Sequence, residues 1–126
     1  MPDPVCSVGM SRILLVEDDA DVRLLLEHVL LGDGHEVDTA SSVREADALL
    51  DSQTYDLAIA DGRLGDGTGM TVAERAADSG AKTLIITGYA FELPKEELGR
   101  YQFLLKPVRP SELLQAVERV LQTENT

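Results

Sequence analysis

The residues with the most chemical potential in this chain are acids crowded where they ought to repel. Glu17, Asp18 and Asp19 directly follow the apolar run 13–16 (ILLV). Other short apolar runs also end on a polar group: Asp61 after 57–60 (LAIA), Thr87 after 84–86 (LII) and Lys106 after 103–105 (FLL). Each has an ordinary explanation by itself. Asp18 or Asp19 suits the positive end of the next helix, Asp61-Gly62 is turn chemistry, Thr87 is a loop hydroxyl, and Lys106 is an exposed lysine before a strand-ending proline. Taken jointly, these accidents would have to gather carboxylates, a hydroxyl and an ammonium at successive strand ends. Two carboxylates about 4 Å apart repel by about 1 kcal/mol in water and about 4 kcal/mol at the effective dielectric of a partly buried site. A cluster of them therefore stays ionised only beside a counter-charge. All-oxygen donors with no His or Cys nearby select a hard cation, and few protein ligands with room for water favour Mg2+ over a caged Ca2+. Such an ion invites a phosphoryl group, whose oxygens complete its shell.

These groups form one site only if the fold brings the strand ends together. The runs at 13–16, 57–60, 84–86 and 103–105 are continuous and apolar, as expected of parallel strands buried on both faces, and 36–40 (EVDTA) alternates like an edge strand. Val22, Leu25, Leu26, Val29 and Leu30 make one helical stripe, and Leu113, Leu114, Val117, Val120 and Leu121 another. Val43, Ala46, Leu49 and Leu50 follow a cap at Ser41 or Ser42. Met70, Ala73, Ala76 and Ala77 form a small-residue stripe ended by Gly80, and Pro110 suits a first helical turn. Pro94 limits any helix in 91–98 to a short piece. Strand and helix thus alternate five times, the pattern of a doubly wound α/β domain with right-handed crossovers. In such sheets ligands sit outside the carboxyl ends of the strands, where the acids, Thr87 and Lys106 fall.

Composition narrows the partners. A chain of 126 residues, 44% hydrophobic and 27% charged, reads as one globular domain at 12–122 between a tail at 1–11 and another at 123–126. The formal charge is −12 and the eleven Lys and Arg are scattered, so nucleic acid is not an expected partner. No apolar run approaches the roughly 18 residues of a membrane span, and 1–11 lacks the pattern of a secretion signal, with Met10 a candidate start. The lone Cys6 cannot pair within the chain and fits a reducing compartment. A cytoplasmic protein is expected. His28 and His35 have no ligand partner at helical spacing and read as surface or packing residues.

Four signatures, VEDD (16–19), D-x-x-L-G-x-x-x-G (61–69), ITG (86–88) and LKP (105–107), together resemble the receiver domains of two-component response regulators, over about 12–121. The resemblance implies a flavodoxin-like five-stranded parallel sheet in the order 2-1-3-4-5, with helices on both faces. It implies that Asp61 takes a phosphoryl group from a phosphohistidine of a sensor histidine kinase or histidine phosphotransfer protein. By the same likeness Asp18, Asp61 and the backbone carbonyl of Arg63 bind Mg2+, with Glu17 acting through water. Lys106 pairs with the phosphoryl oxygens, Thr87 moves to bond one of them, and Phe103 turns inward on activation. The domain would promote its own phosphorylation and dephosphorylation rather than act as an enzyme on other substrates. A cis bond before Pro107 is a further implication.

The chain also departs from the family's pattern. Gly65 replaces a proline, and the four glycines of 62–69 (GRLGDGTG) predict a mobile loop after Asp61. TGY (87–89) resembles a receiver subgroup, but Ile85 and Ile86 do not fit it. The interval from Thr87 to Phe103 is about three residues short, so the family's usual dimer face is not expected to transfer, and a monomer or weak dimer is predicted. Arg63 and Tyr89 stand two residues beyond Asp61 and Thr87, where they can flank an attacking water and set the lifetime of an acyl phosphate. The leading expectation is a stand-alone phosphorylation switch that binds a downstream protein. A docking module that is never phosphorylated is an alternative. So is a Mg2+-dependent phosphatase or Toprim-like nuclease, although Asp61-Gly62-Arg63 lacks the Asp-x-Asp pair those would want. A flavin-phosphate site would need hydrogen-bond donors where the first loop carries carboxylates.

Overall fold

The computed structural model of the chain describes residues 11–88 and 101–122; Cys6, Tyr89, Pro94 and the stretch 91–98 lie outside the described residues. The elements are β1 (Arg12–Val16), α1 (Ala20–Gly32), β2 (Glu36–Ala40), α2 (Val43–Ser52), β3 (Leu57–Asp61), β4 (Arg63–Leu64), β5 (Gly67–Thr68), α3 (Gly69–Asp78), β6 (Lys82–Thr87), β7 (Gln102–Leu105) and α4 (Pro110–Gln122). Five parallel strands are ordered β2-β1-β3-β6-β7, and β4 and β5 form a separate antiparallel ribbon. With the ribbon set aside, this is the expected order 2-1-3-4-5.

The period of two in each strand divides the core into two layers. Ile13, Leu15, Leu57, Ile59, Leu84 and Ile86 face α1 and α4, where they meet Leu26, Leu30, Leu113 and Val117. Leu14, Val16, Ala58 and Ala60 face α2 and α3, where Ala46, Leu50, Val72 and Ala76 close over them. Each large side chain taken wholly from water stabilises the fold by about 1.5–3 kcal/mol, so β1, β3 and β6, apolar on both faces, form the most strongly held part of the sheet. Ala58 and Ala60 on the sheet and Ala46 and Ala76 on the helices make this the layer of smaller side chains. The same two helices are also joined by Arg75, which meets Asp47 and Asp51.

Several expectations change in detail. The run 103–105 was expected to be buried on both faces, but β7 is an edge strand in which Phe103 and Leu104 are half-buried and Leu105 is 61% exposed. An edge strand has a neighbouring strand on one side only, which an apolar run alone does not reveal. In α1, Leu25 is exposed although it fits the stripe, and Leu26 and Leu30 carry the burial. In α3 the buried set is Gly69, Val72, Ala73 and Ala76; Met70 is half-buried and Ala77 exposed. Ala73 and Ala76 are buried as expected, and Gly69 and Val72 join them in place of Met70 and Ala77, because alanine offers little contrast between the faces. Gly80 does end that helix, at φ +96, a left-handed conformation that glycine adopts without Cβ strain. Ser42 is the cap of α2, its side chain accepting from the Glu45 N–H. His28 is exposed, while His35 is buried with its Nε2 3.2 Å from Asp33.

The glycine-rich loop after Asp61 folds into a hairpin. Arg63 and Leu64 pair with Thr68 and Gly67, Leu64 is buried, and the carboxylate of Asp66 accepts bonds from the backbone of α2. Tertiary contacts thus tie this glycine-rich segment to the core and to α2.

Candidate functional site: an acidic cleft at the carboxyl ends of the strands

Backbone hydrogen bonds carry the ladders one step past the strands and set the positions of the site residues. Glu17 N–H donates to Ala40 O at 3.0 Å, Gly62 N–H to Ile86 O at 2.9 Å, and Lys106 N–H to Thr87 O at 3.0 Å. Glu17, Asp61 and Lys106 are thus held in line with the sheet rather than on free loops. The bond between Lys106 and Pro107 is cis.

Glu17 is 2% exposed and Asp61 8%, while Asp18 is exposed beside them. Ligand oxygens of all three lie within 4.8 Å of one another, a grouping able to hold a metal ion. Lys106 Nζ lies 3.0 Å from Asp61 Oδ2 and 3.3 Å from Glu17 Oε1. One ammonium thus serves two buried carboxylates. Burial pushes the Glu17 carboxyl up to about 7; the Asp19 N–H opposes this, Asp61 adds to it and Lys106 opposes it. Burial alone would push Lys106 down, but the hydrogen bond and charge of Asp61, with those of Glu17, hold it above its ordinary value. The site therefore has a surplus of carboxylate that a divalent cation would relieve.

The cleft, about 600 Å³, is bordered by Glu17, Asp18, Asp61, Arg63, Gly88 and Lys106, among others. Arg63 is exposed, and its backbone N–H donates to Asp61 Oδ1 at 3.3 Å. Thr87 is 1% exposed and closed against Gly62: a Cβ at 62 would lie 2.7 Å from both Thr87 Cβ and Oγ1. Phe103 is half-buried on β7, in register with Ile85. Tyr89 falls outside the described residues.

Asp19 parts from its neighbours. Its Oδ1 accepts from the N–H groups of Asp21 and Val22 at 2.9 and 3.1 Å, making it the N-cap of α1, and its own N–H donates to Glu17 Oε2 at 3.1 Å. The third acid thus anchors the helix and orients the first. Three contributors were not foreseen. Arg23 Nη1 donates to Glu17 O at 2.8 Å, a contact no local spacing announces. Asp66, beside the cleft, accepts from the N–H groups of Val43 and Arg44. Gly69 lies so near Asp61 that a Cβ would stand 2.3 Å from its carbonyl oxygen, and the glycine eight positions after Asp61 was the sequence signal for it.

Comparison with known proteins agrees with this geometry. The response regulator receiver domain model matches residues 13–118. The alginate biosynthesis transcriptional regulatory protein AlgB of Pseudomonas aeruginosa is 32% identical over 121 residues, covering 92% of this chain and 27% of AlgB. This chain thus spans about a quarter of that relative. The non-phosphorylated HemR receiver domain from Leptospira biflexa superposes with a TM-score of 0.78 at 33% identity, covering 92% of this chain and 98% of that one. A response regulator receiver protein from Sinorhizobium medicae gives 0.82 at 27% identity, covering 90% and 96%. With its acids, its lysine and its strand order in this arrangement, the chain belongs to the response regulator receiver domains.

Proposed function

We propose that this domain is a phosphorylation switch in a two-component relay and that Asp61 is its acceptor. The observation that carries the reading is the contact of Lys106 with Asp61 at 3.0 Å inside a cleft that also holds Glu17 and Asp18. An Asp61 carboxylate oxygen attacks the phosphorus of a phosphohistidine; a new O–P bond replaces the P–N bond, whose electron pair leaves with the imidazole. Lys106, already a donor to the acceptor carboxylate, pairs with the phosphoryl oxygens as their charge approaches. Mg2+ suits the all-oxygen donors Asp18, Asp61 and the Arg63 carbonyl, with Glu17 through water, and when bound it neutralises the phosphoryl oxygens. Thr87 leaves its recess against Gly62 to bond one of those oxygens, and Phe103 follows inward. This two-state change is read by a downstream protein.

The donor is a sensor histidine kinase or histidine phosphotransfer protein, and the setting is cytoplasmic; no helix among the described residues is long and apolar enough to cross a membrane. A monomer or weak dimer suffices. To test the acceptor, the protein is incubated with Mg2+ and acetyl phosphate and its intact mass recorded. Wild type gains one phosphoryl group and Asp61→Asn gains none; a stable adduct on the variant would sink the assignment. Arg63 and Tyr89 set the acyl-phosphate lifetime, so Arg63→Ala and Tyr89→Ala change the dephosphorylation rate of the isolated adduct. Rates equal to wild type would remove them from that role.

A further inference from the structure

The hairpin that follows Asp61 is tied to the first turn of α2 through the side chain of Asp66. Val43 N–H donates to Asp66 Oδ1 at 2.8 Å and Arg44 N–H to Asp66 Oδ2 at 3.1 Å. The next N–H, that of Glu45, donates to Ser42 Oγ at 3.1 Å. The first three donors of α2 are thus satisfied, two of them by a residue 23 and 22 positions away in the chain. The approach is close, since a Cβ at Gly67 would meet Val43 Cγ2 at 3.0 Å.

The other end of the hairpin touches the acceptor. Arg63 N–H bonds Asp61 Oδ1, Gly69 N–H donates to Gly62 O at 3.2 Å, and Arg63, Leu64 and Gly65 border the cleft. A ribbon of two paired residues per strand is marginal on its own, so outside ties decide where it sits. Leu64 supplies one by burial, Thr68 meets Thr71 of α3 at 3.4 Å, and Asp66 supplies the bonds to α2. A carboxylate at a helix N-terminus is favoured by the aligned N–H groups, and the bonds from Val43 and Arg44 hold this one below the usual carboxylate range.

We propose that Asp66 is a positioning residue: by fastening the β4–β5 hairpin to the first turn of α2, it holds the cleft wall formed by Arg63, Leu64 and Gly65 in register with Asp61. The inference deepens the phosphoryl-acceptor reading and rests on it for its effect on rate. The mechanical part, that Asp66 fixes the hairpin, stands on geometry alone.

Asp66→Ala is compared with Ser42→Ala, which removes a cap from the same helix terminus without touching the hairpin, and with Asp66→Asn, which keeps one acceptor oxygen. Thermal unfolding, amide hydrogen exchange across 62–69 and the rate of phosphorylation by acetyl phosphate with Mg2+ are measured for each. Both alanine variants unfold at a lower temperature. Only Asp66→Ala speeds exchange in the hairpin, by about tenfold, and slows phosphorylation, by about three- to tenfold; Asp66→Asn falls between it and wild type. Hairpin exchange unchanged in Asp66→Ala, or phosphorylation slowed equally by Ser42→Ala, would overturn the proposal. Should wild type take up no phosphoryl group, the acceptor reading falls, while the exchange data still decide whether Asp66 fixes the hairpin.

Discussion

At the amino ends of the strands Arg12 pairs with Glu36 at 3.2 Å, and its backbone N–H donates to Asp56 Oδ2 at 2.8 Å. At the carboxyl ends Glu17 and Asp61 share Lys106. Both ends of the sheet hold acids beside a base, yet they differ in access to water. The Arg12 and Glu36 side chains are 37% and 57% exposed, whereas those of Glu17 and Asp61 are 2% and 9%. Water screens the first group, and such pairs contribute about 0–1 kcal/mol. The second group is left with more negative charge than one ammonium relieves, in surroundings where charge is costly. Solvent access, rather than residue type, separates a solvated ion pair from a buried acidic grouping able to hold a metal ion.

The contrast can be broken first at Lys106. Lys106→Ala is expected to slow phosphorylation by acetyl phosphate by about two to three orders of magnitude, as loss of a transition-state donor does, with the acceptor still intact by mass. A rate within a factor of about three of wild type would reduce Lys106 to the structural partner that Arg12 is at the other end.

Glu17 sharpens the comparison. The folded chain holds the Glu17 proton up to about pH 7, whereas an ordinary glutamate releases it near 4.5. Its contribution to stability is therefore full below pH 4.5 and is lost as the pH rises through 7. Urea unfolding without metal should show a fall of about 2–3 kcal/mol across that window. The fall should shrink in saturating Mg2+ and vanish in Glu17→Gln, which should be about 2 kcal/mol more stable than wild type at pH 8 without metal. A metal-free profile flat across the window would mean that Glu17 is already relieved by the protein. At the other end, Glu36→Gln should change stability by less than about 0.5 kcal/mol at any of these pH values. A larger loss would show the amino-end network to be more than a solvated pair.

The sequence revealed the sheet well because β1, β3 and β6 are buried on both faces and their apolar runs state this directly. It brought the candidate residues together because Glu17, Asp18, Asp61, Thr87 and Lys106 all stand at the ends of short apolar runs, and a parallel sheet collects strand ends at one mouth. What escaped depends on distance or on weak contrast. Alanines in α3 blurred which face is buried, and Leu25 fits a stripe that the helix does not fully use. The hairpin was not legible because glycine content reports local freedom, whereas the burial of Leu64 and the bonds to Asp66 depend on contacts far along the chain. Asp19 shows the opposite limit: in a run of three acids, spacing alone could not tell which one caps the helix.

The bonds that extend the ladders through Glu17, Gly62 and Lys106 have a thermodynamic consequence. Glu17 and Asp61 are spliced into the ends of the sheet's buried strands, so uptake of a cation there should spend little free energy on ordering those two positions. Its heat and entropy should come chiefly from stripped water and released protons. The speed of loading would then be governed by how quickly the ion sheds its hydration shell, not by a folding step in the protein.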